Sequence, residues 1–313
     1  MTSTNVVPLS ERQGVQRPPI RTSNELKIEV TRVYPIWPRR VFVQWVLRNV
    51  PQGTPDYLFN IYKSESTTGP WTTLATSIDN EYFYVDESWA ANVDNTQGTL
   101  INMHVSLNYK IEALVPAPEP PVTIPPTPPD PPILMATVIE HLDPWLDHRR
   151  TGISRKLIRD ALIALKRIGT ETAILKKKTW GVRCPLCVSV SNKSTRVSCP
   201  TCYGTTITGG YMNPVYGYST LSSNATNVST RTEGQVDVRQ RQIIMANVPH
   251  MDVDDVVVFL RSGKRFLVKS VLPTTIQDTD VHQELVVSEL TPGSIEYEIN
   301  VDPWREPCWW VTP

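Results

Sequence analysis

Cys184, Cys187, Cys199 and Cys202 form two Cys-x-x-Cys pairs separated by eleven residues. Each pair sits in a turn-forming context, Cys184-Pro-Leu-Cys187 and Cys199-Pro-Thr-Cys202-Tyr-Gly204. A tight turn of this kind aims two thiolates at one point, and two such knuckles complete the tetrahedral all-sulfur set that Zn2+ prefers. Segment 188–198 between them is polar and rich in small residues, so it holds too little apolar surface to build a core. A metal would take the place of that core. Two other chemistries compete with it. Local disulfides would each close a short, strained loop. A thioredoxin-type redox pair would sit at a strand-to-helix junction and needs no second copy. Structural zinc is favoured over both, and a closed four-sulfur site leaves no open position for catalysis. Cys308 is left unpaired, which agrees with synthesis in a reducing compartment.

Other reactive side chains are less focused. His141 and His148 flank Asp143, Trp145 and Asp147, but nothing else converges there. Asp252, Asp254 and Asp255 lack the twelve-residue cation-loop pattern with its terminal glutamate and are expected to cap and solubilise the strand that follows. No glycine-rich phosphate loop, nucleophile elbow or His-Glu-x-x-His motif occurs, so the chain is not expected to be an enzyme.

The elements that would position the cysteines are mostly strands, in a mainly β, multidomain chain. Residues 1–24 are polar and proline-containing and read as an extended arm. Across 25–115 short alternating strands are expected near Lys27–Val33, Val41–Leu47, Tyr57–Lys63, Trp71–Ala75, Tyr82–Val85 and Leu100–Ala113. Val41, Val43, Trp45 and Leu47 share one face and should line a sandwich core. Residues 116–132 contain ten prolines in seventeen positions. Such a run favours polyproline II and is expected to be a semi-rigid linker of roughly 50 Å holding two globular parts apart. Residues 133–232 hold a helix over Gly152–Gly169, the cysteine module and a loop from Ser219 to Thr232. Ile153, Leu157, Ile158, Ala161, Leu162, Leu165 and Ile168 fall on one face of that helix. Residues 233–313 read as a small SH3-like barrel, with strands at Gln242–Ala246, Asp255–Leu260, Arg265–Leu272, Val281–Leu290 and Ile295–Ile299. An aromatic tail, Trp304-Arg-Glu-Pro-Cys308-Trp-Trp310, follows.

Lys plus Arg and Asp plus Glu both number 31, so no global charge pulls the chain toward nucleic acid or membrane. The balance hides segregation, which suits docking to neighbours. Residues 147–183 hold eleven bases against three acids, and residues 233–313 hold thirteen acids against seven bases. The N-terminus lacks a signal-peptide pattern, and no run reaches transmembrane length.

Segment 25–115 resembles a fibronectin type III or related immunoglobulin-like domain. The resemblance rests on Trp45, on Asn60-Ile-Tyr-Lys-Ser64 followed by Gly69-Pro-Trp71, and on Tyr109-Lys-Ile-Glu-Ala113. It implies that Tyr109 is the corner tyrosine and Ile111 a core residue. The chain departs from the family by running into proline after Ala113, so the last strand must be missing or supplied from elsewhere, Leu134–Ile139 being a candidate.

A second resemblance covers about a third of the chain. Trp180-Gly181, Cys199-Pro-Thr-Cys202-Tyr-Gly-Thr205, Gly209-Gly-Tyr211, Gly263-Lys-Arg265-Phe-x-Val268 and Thr291-Pro-Gly-Ser-Ile-Glu-Tyr297 are similar to stretches of tailed-bacteriophage structural proteins. Cys-x-x-Cys-x-Gly also occurs in chaperone zinc fingers, but Thr206 stands where that motif has its second glycine. The phage resemblance implies a non-enzymatic virion component of the neck or collar at the head–tail junction. Its expected partners are connector, portal-associated or tail proteins, with copies of the chain in a ring. It would be assembled in the host cytoplasm and located in the virion, with no membrane partner. A baseplate or tail-fibre attachment protein is the close variant. A zinc-ribbon nucleic-acid-binding protein, using the basic stretch Arg149–Arg183, stays open as a rival from another class. Against it, the basic residues adjoin an amphipathic helix and the knuckles themselves carry only Lys193 and Arg196.

Overall fold

The computed structural model describes residues 27–36, 40–50, 56–87, 107–115, 133–142, 148–187, 199–222, 229–231, 234–236, 240–276, 279–302 and 304–305. The arm at 1–24, segment 116–132, Asp143, Trp145, Asp147 and Cys308 lie outside them.

Two antiparallel sheets form the first body. One has the order β1 (Lys27–Ile36), β2 (Arg40–Arg48), β5 (Phe83–Asp86). The other runs β4 (Thr72–Asp79), β3 (Leu58–Ser64), β6 (Leu107–Val115), β7 (Ile133–Leu142). Val41, Val43, Trp45 and Leu47 are all buried, as their shared face predicts, and the Trp45 ring meets Phe59 of the opposite sheet at 5.2 Å. Ile111 is fully buried too. The Tyr109 hydroxyl donates to Asp86 Oδ2 at 3.0 Å, tying the start of β6 to the end of β5.

Strand β7 pairs with β6 from Leu107↔Leu142 to Val115↔Ile133. The strand missing from the sheet is therefore supplied from beyond the prolines. This differs from the expected spacer between separate bodies, because segment 116–132 leaves and rejoins the same sheet at neighbouring strands. The physical reason is that β6 would otherwise end as an open edge with unpaired amides.

The second body is a closed antiparallel barrel in the order β12, β15, β14, β13, β8, β9. These are β8 (Thr170–Leu175), β9 (Val215–Leu221), β12 (Gln240–Ala246), β13 (Val256–Phe259), β14 (Arg265–Ile276) and β15 (Thr279–Glu289). A two-stranded ribbon pairs β10 (Ser229–Arg231), in the stretch read as loop, with β11 (Gly234–Val236) just after it. Two barrel strands come from before residue 233, so the closed sheet is larger than the C-terminal segment alone. Ile295–Glu298 is a 3-10 turn rather than a strand. The Arg265 guanidinium donates to the carbonyls of Glu296 and Ile299, giving that backbone a partner other than a ladder.

Helix α1 (His148–Ile168) buries Ile158, Leu162 and Leu165 against β9, β12 and β15, and its other neighbour is β1 of the sandwich. It stops at Gly169, where an added Cβ would run into the Leu165 carbonyl. The two bodies share one continuous apolar cluster, from Trp45 and Phe59 to Phe266 and Leu285. Among the described residues no helix is long and apolar enough to cross a membrane.

Candidate metal centre

The cysteines sit at the tip of the hairpin that joins β8 to β9. Its stem is zipped by Met212 N–H to Lys176 O at 2.8 Å, Lys178 N–H to Gly210 O at 3.0 Å and Thr208 N–H to Val182 O at 2.8 Å. In the first knuckle the Cys184 amide donates to Thr206 O at 2.9 Å, tying it to the strand that leaves the second. The second knuckle turns sharply: Tyr203 N–H reaches Cys199 O at 2.8 Å, with φ of 48° at Tyr203 and 77° at Gly204. Gly210, at φ 64°, lets the stem approach closely, since a Cβ there would lie 2.8 Å from Cys202 O.

All four sulfurs are buried and lie within 4.8 Å of one another. The Cys184–Cys199 separation is 3.8 Å, and none of the four cysteines is in a disulfide. An S–S bond is ~2.0 Å long, whereas a tetrahedron with ~2.3 Å metal–sulfur bonds has edges of ~3.8 Å. The four predicted ligands are thus brought together and fit a single metal ion, consistent with a structural zinc site. Among the described residues this buried group consists of the four cysteines.

The electrostatics point the same way. Proton sharing with Cys187 brings Cys199 down to about 6, while the same partnership and burial push Cys187 well up. Four crowded thiols in a dry site cannot all ionise without a cation to balance them. Among the described residues no other group of His, Cys, Asp or Glu converges in this way.

His141 lies on β7 opposite Asn108, and His148 begins α1. Asp252, Asp254 and Asp255 form a salt-bridge seam, and Asp255 also caps the approach to β13 by accepting from Asp252 N–H at 2.7 Å and Lys177 N–H at 2.8 Å. Lys176 Nζ reaches Asp252 Oδ2 at 2.7 Å, Asp255 Oδ2 at 3.2 Å and His250 O at 3.0 Å, while Lys177 Nζ reaches Asp254 Oδ2 at 3.0 Å. Burial raises the Asp255 carboxyl to about 6, with the Lys176 ammonium opposing the shift. Adjacent Lys176 and Lys177 and the three aspartates were a legible sign of this pairing, because opposite charges clustered in sequence can meet in the fold.

A scan against protein-family models gives no match, and a search of curated proteins gives none either.

Proposed function

We propose that this chain is a non-enzymatic structural protein of a tailed-bacteriophage virion, placed at the neck or collar of the head–tail junction. The observation that carries the reading is the continuous core joining the two β bodies, with an enclosed all-sulfur cluster at the tip of a barrel hairpin. Such a unit is a stiff block with its metal shut away from substrate, suited to docking rather than turnover. The metal is Zn2+, held by Cys184, Cys187, Cys199 and Cys202. The three-plus-four sandwich is read as fibronectin type III-like, and the barrel as SH3-like with two strands lent by the hairpin. Copies would form a ring on the connector, with Trp304, 89% exposed, as an anchor. A cryo-EM map of the parent particle tests this. Ring density for this chain at the neck is expected; density at the baseplate selects the attachment variant, and a particle lacking the chain overturns the proposal.

Nucleic-acid binding is the second reading, favoured by the exposed Lys156, Lys166 and Arg167 of α1. Filter binding across a salt series separates the two. A steep loss of affinity with salt supports it, and no binding at low salt removes it.

A further inference from the structure

Among the described residues the sandwich touches the barrel at several places, and one of them is built on the cysteine hairpin. Trp180, 3% exposed, presents its ring edge-on to Tyr57 at 6.2 Å and Phe59 at 5.4 Å. Beside it Gly181, at φ 125°, lies so near the sandwich that an added Cβ would be 2.7 Å from Asp56 Oδ1. Only Val182 and Arg183 separate this pair from Cys184, and Arg183 is bridged to Ile207 just beyond the second knuckle. The seat of Trp180 is therefore set by a stem whose far end, among the described residues, is closed by the four cysteines. Other contacts are polar: Gln44 of β2 donates to His250 O at 3.2 Å and accepts from His250 N–H at 2.8 Å, while Asn213 accepts from Asn80 Nδ2 and donates to Glu81 Oε1, each at 2.9 Å.

We propose that metal occupancy of the cysteine cluster governs how tightly the sandwich is docked on the barrel. The inference rests on the metal reading of that cluster and adds a consequence for a distant joint. Without a cation the hairpin tip has no core to hold it, so the stem frays back toward Trp180. The sandwich then loses its aromatic seat and keeps the polar ties at Gln44 and Asn213, which open more often. The metal acts here as a latch between bodies as well as a staple within one.

The His250 amide reports this directly, because its acceptor belongs to the sandwich. The next amide, Met251 N–H, donates to Gln283 Oε1 at 3.0 Å inside the barrel and is an internal control. Residue-resolved hydrogen exchange on the full-length protein, before and after a strong zinc chelator, reads both, with metal content measured in parallel. Metal loss should speed exchange at His250 by a factor on the order of ten, from two lost edge-to-face contacts, and leave Met251 unchanged. An unchanged His250 rate in metal-free protein overturns the latch, and so does equal acceleration of both amides. Protein purified with no metal instead sinks the underlying metal reading. A second arm uses Trp180→Leu with metal retained. It should reproduce the fast His250 exchange, and a wild-type rate there overturns the route through Trp180.

Discussion

In the sandwich, Trp45, Tyr57, Phe59 and Tyr109 are almost wholly shielded, and large side chains fill the space between two sheets. In the cysteine hairpin the enclosed cluster consists of four sulfurs. The first kind of core needs nothing from outside, since burying each large apolar side chain stabilises by about 1.5–3 kcal/mol under any ordinary buffer. On the proposed metal reading the second depends on a cation, so its stability varies with chelators, oxidants and thiol ionisation. The comparison shows how one chain can join a permanent body to a conditional one.

The largest effect should come from replacing Cys199 and Cys202 with serine. Structural zinc in short fingers is worth about 10–16 kcal/mol. Bound metal should fall to background by elemental analysis, with protection lost around the knuckles, while the sandwich keeps its own far-ultraviolet signal. Retained metal would break the comparison. Trp45→Ala probes the other side. It should cost about 3–5 kcal/mol in denaturant melts and leave the metal content of folded protein unchanged.

Lys176→Met strikes the salt-bridge seam between the hairpin stem and the segment before β13. Removing one partner of a buried pair costs about 3–5 kcal/mol, and the Asp255 carboxyl should climb further without its cation. In the wild type that carboxyl sits raised at about 6 in the folded state, against ~3.9 unfolded. The native protein thus holds a proton that the unfolded chain has released. Its stabilising contribution is full below about 4 and is lost as pH rises through 6. Asp255→Asn should remove that slope from melts across the window, and an unchanged slope assigns the titration elsewhere. Gly181→Ala is the mildest change, at about 1–3 kcal/mol for a strained residue at positive φ. It should weaken docking, seen as faster His250 exchange, with metal still bound.

The four ligands and most strands were legible because their signals are local: Cys-x-x-Cys spacing, period-two alternation, and turns such as Thr291-Pro-Gly293. What sequence could not supply was pairing at a distance. β8 and β9 close the barrel across 39 residues that hold the cysteine module, and β7 joins β6 across the prolines. Burial of Gln44 illustrates the same point. The alternation in β2 places it on the outer face of the sheet, yet it is fully buried because the segment around His250 covers that face. Ile295–Glu298 carried strand-like composition, and the guanidinium of Arg265, thirty residues upstream of Ile295, set it as a turn. No short-range pattern encodes such a partner.

The register of β7 on β6 also has a kinetic side. On the ribosome, β6 is complete 27 residues before Leu142, and at ~5–20 residues per second it waits on the order of one to five seconds for its neighbour. Throughout that interval a nascent chain offers a bare strand to anything nearby. Fragments cut at Val115 should aggregate during translation, whereas those ending after Leu142 should emerge soluble.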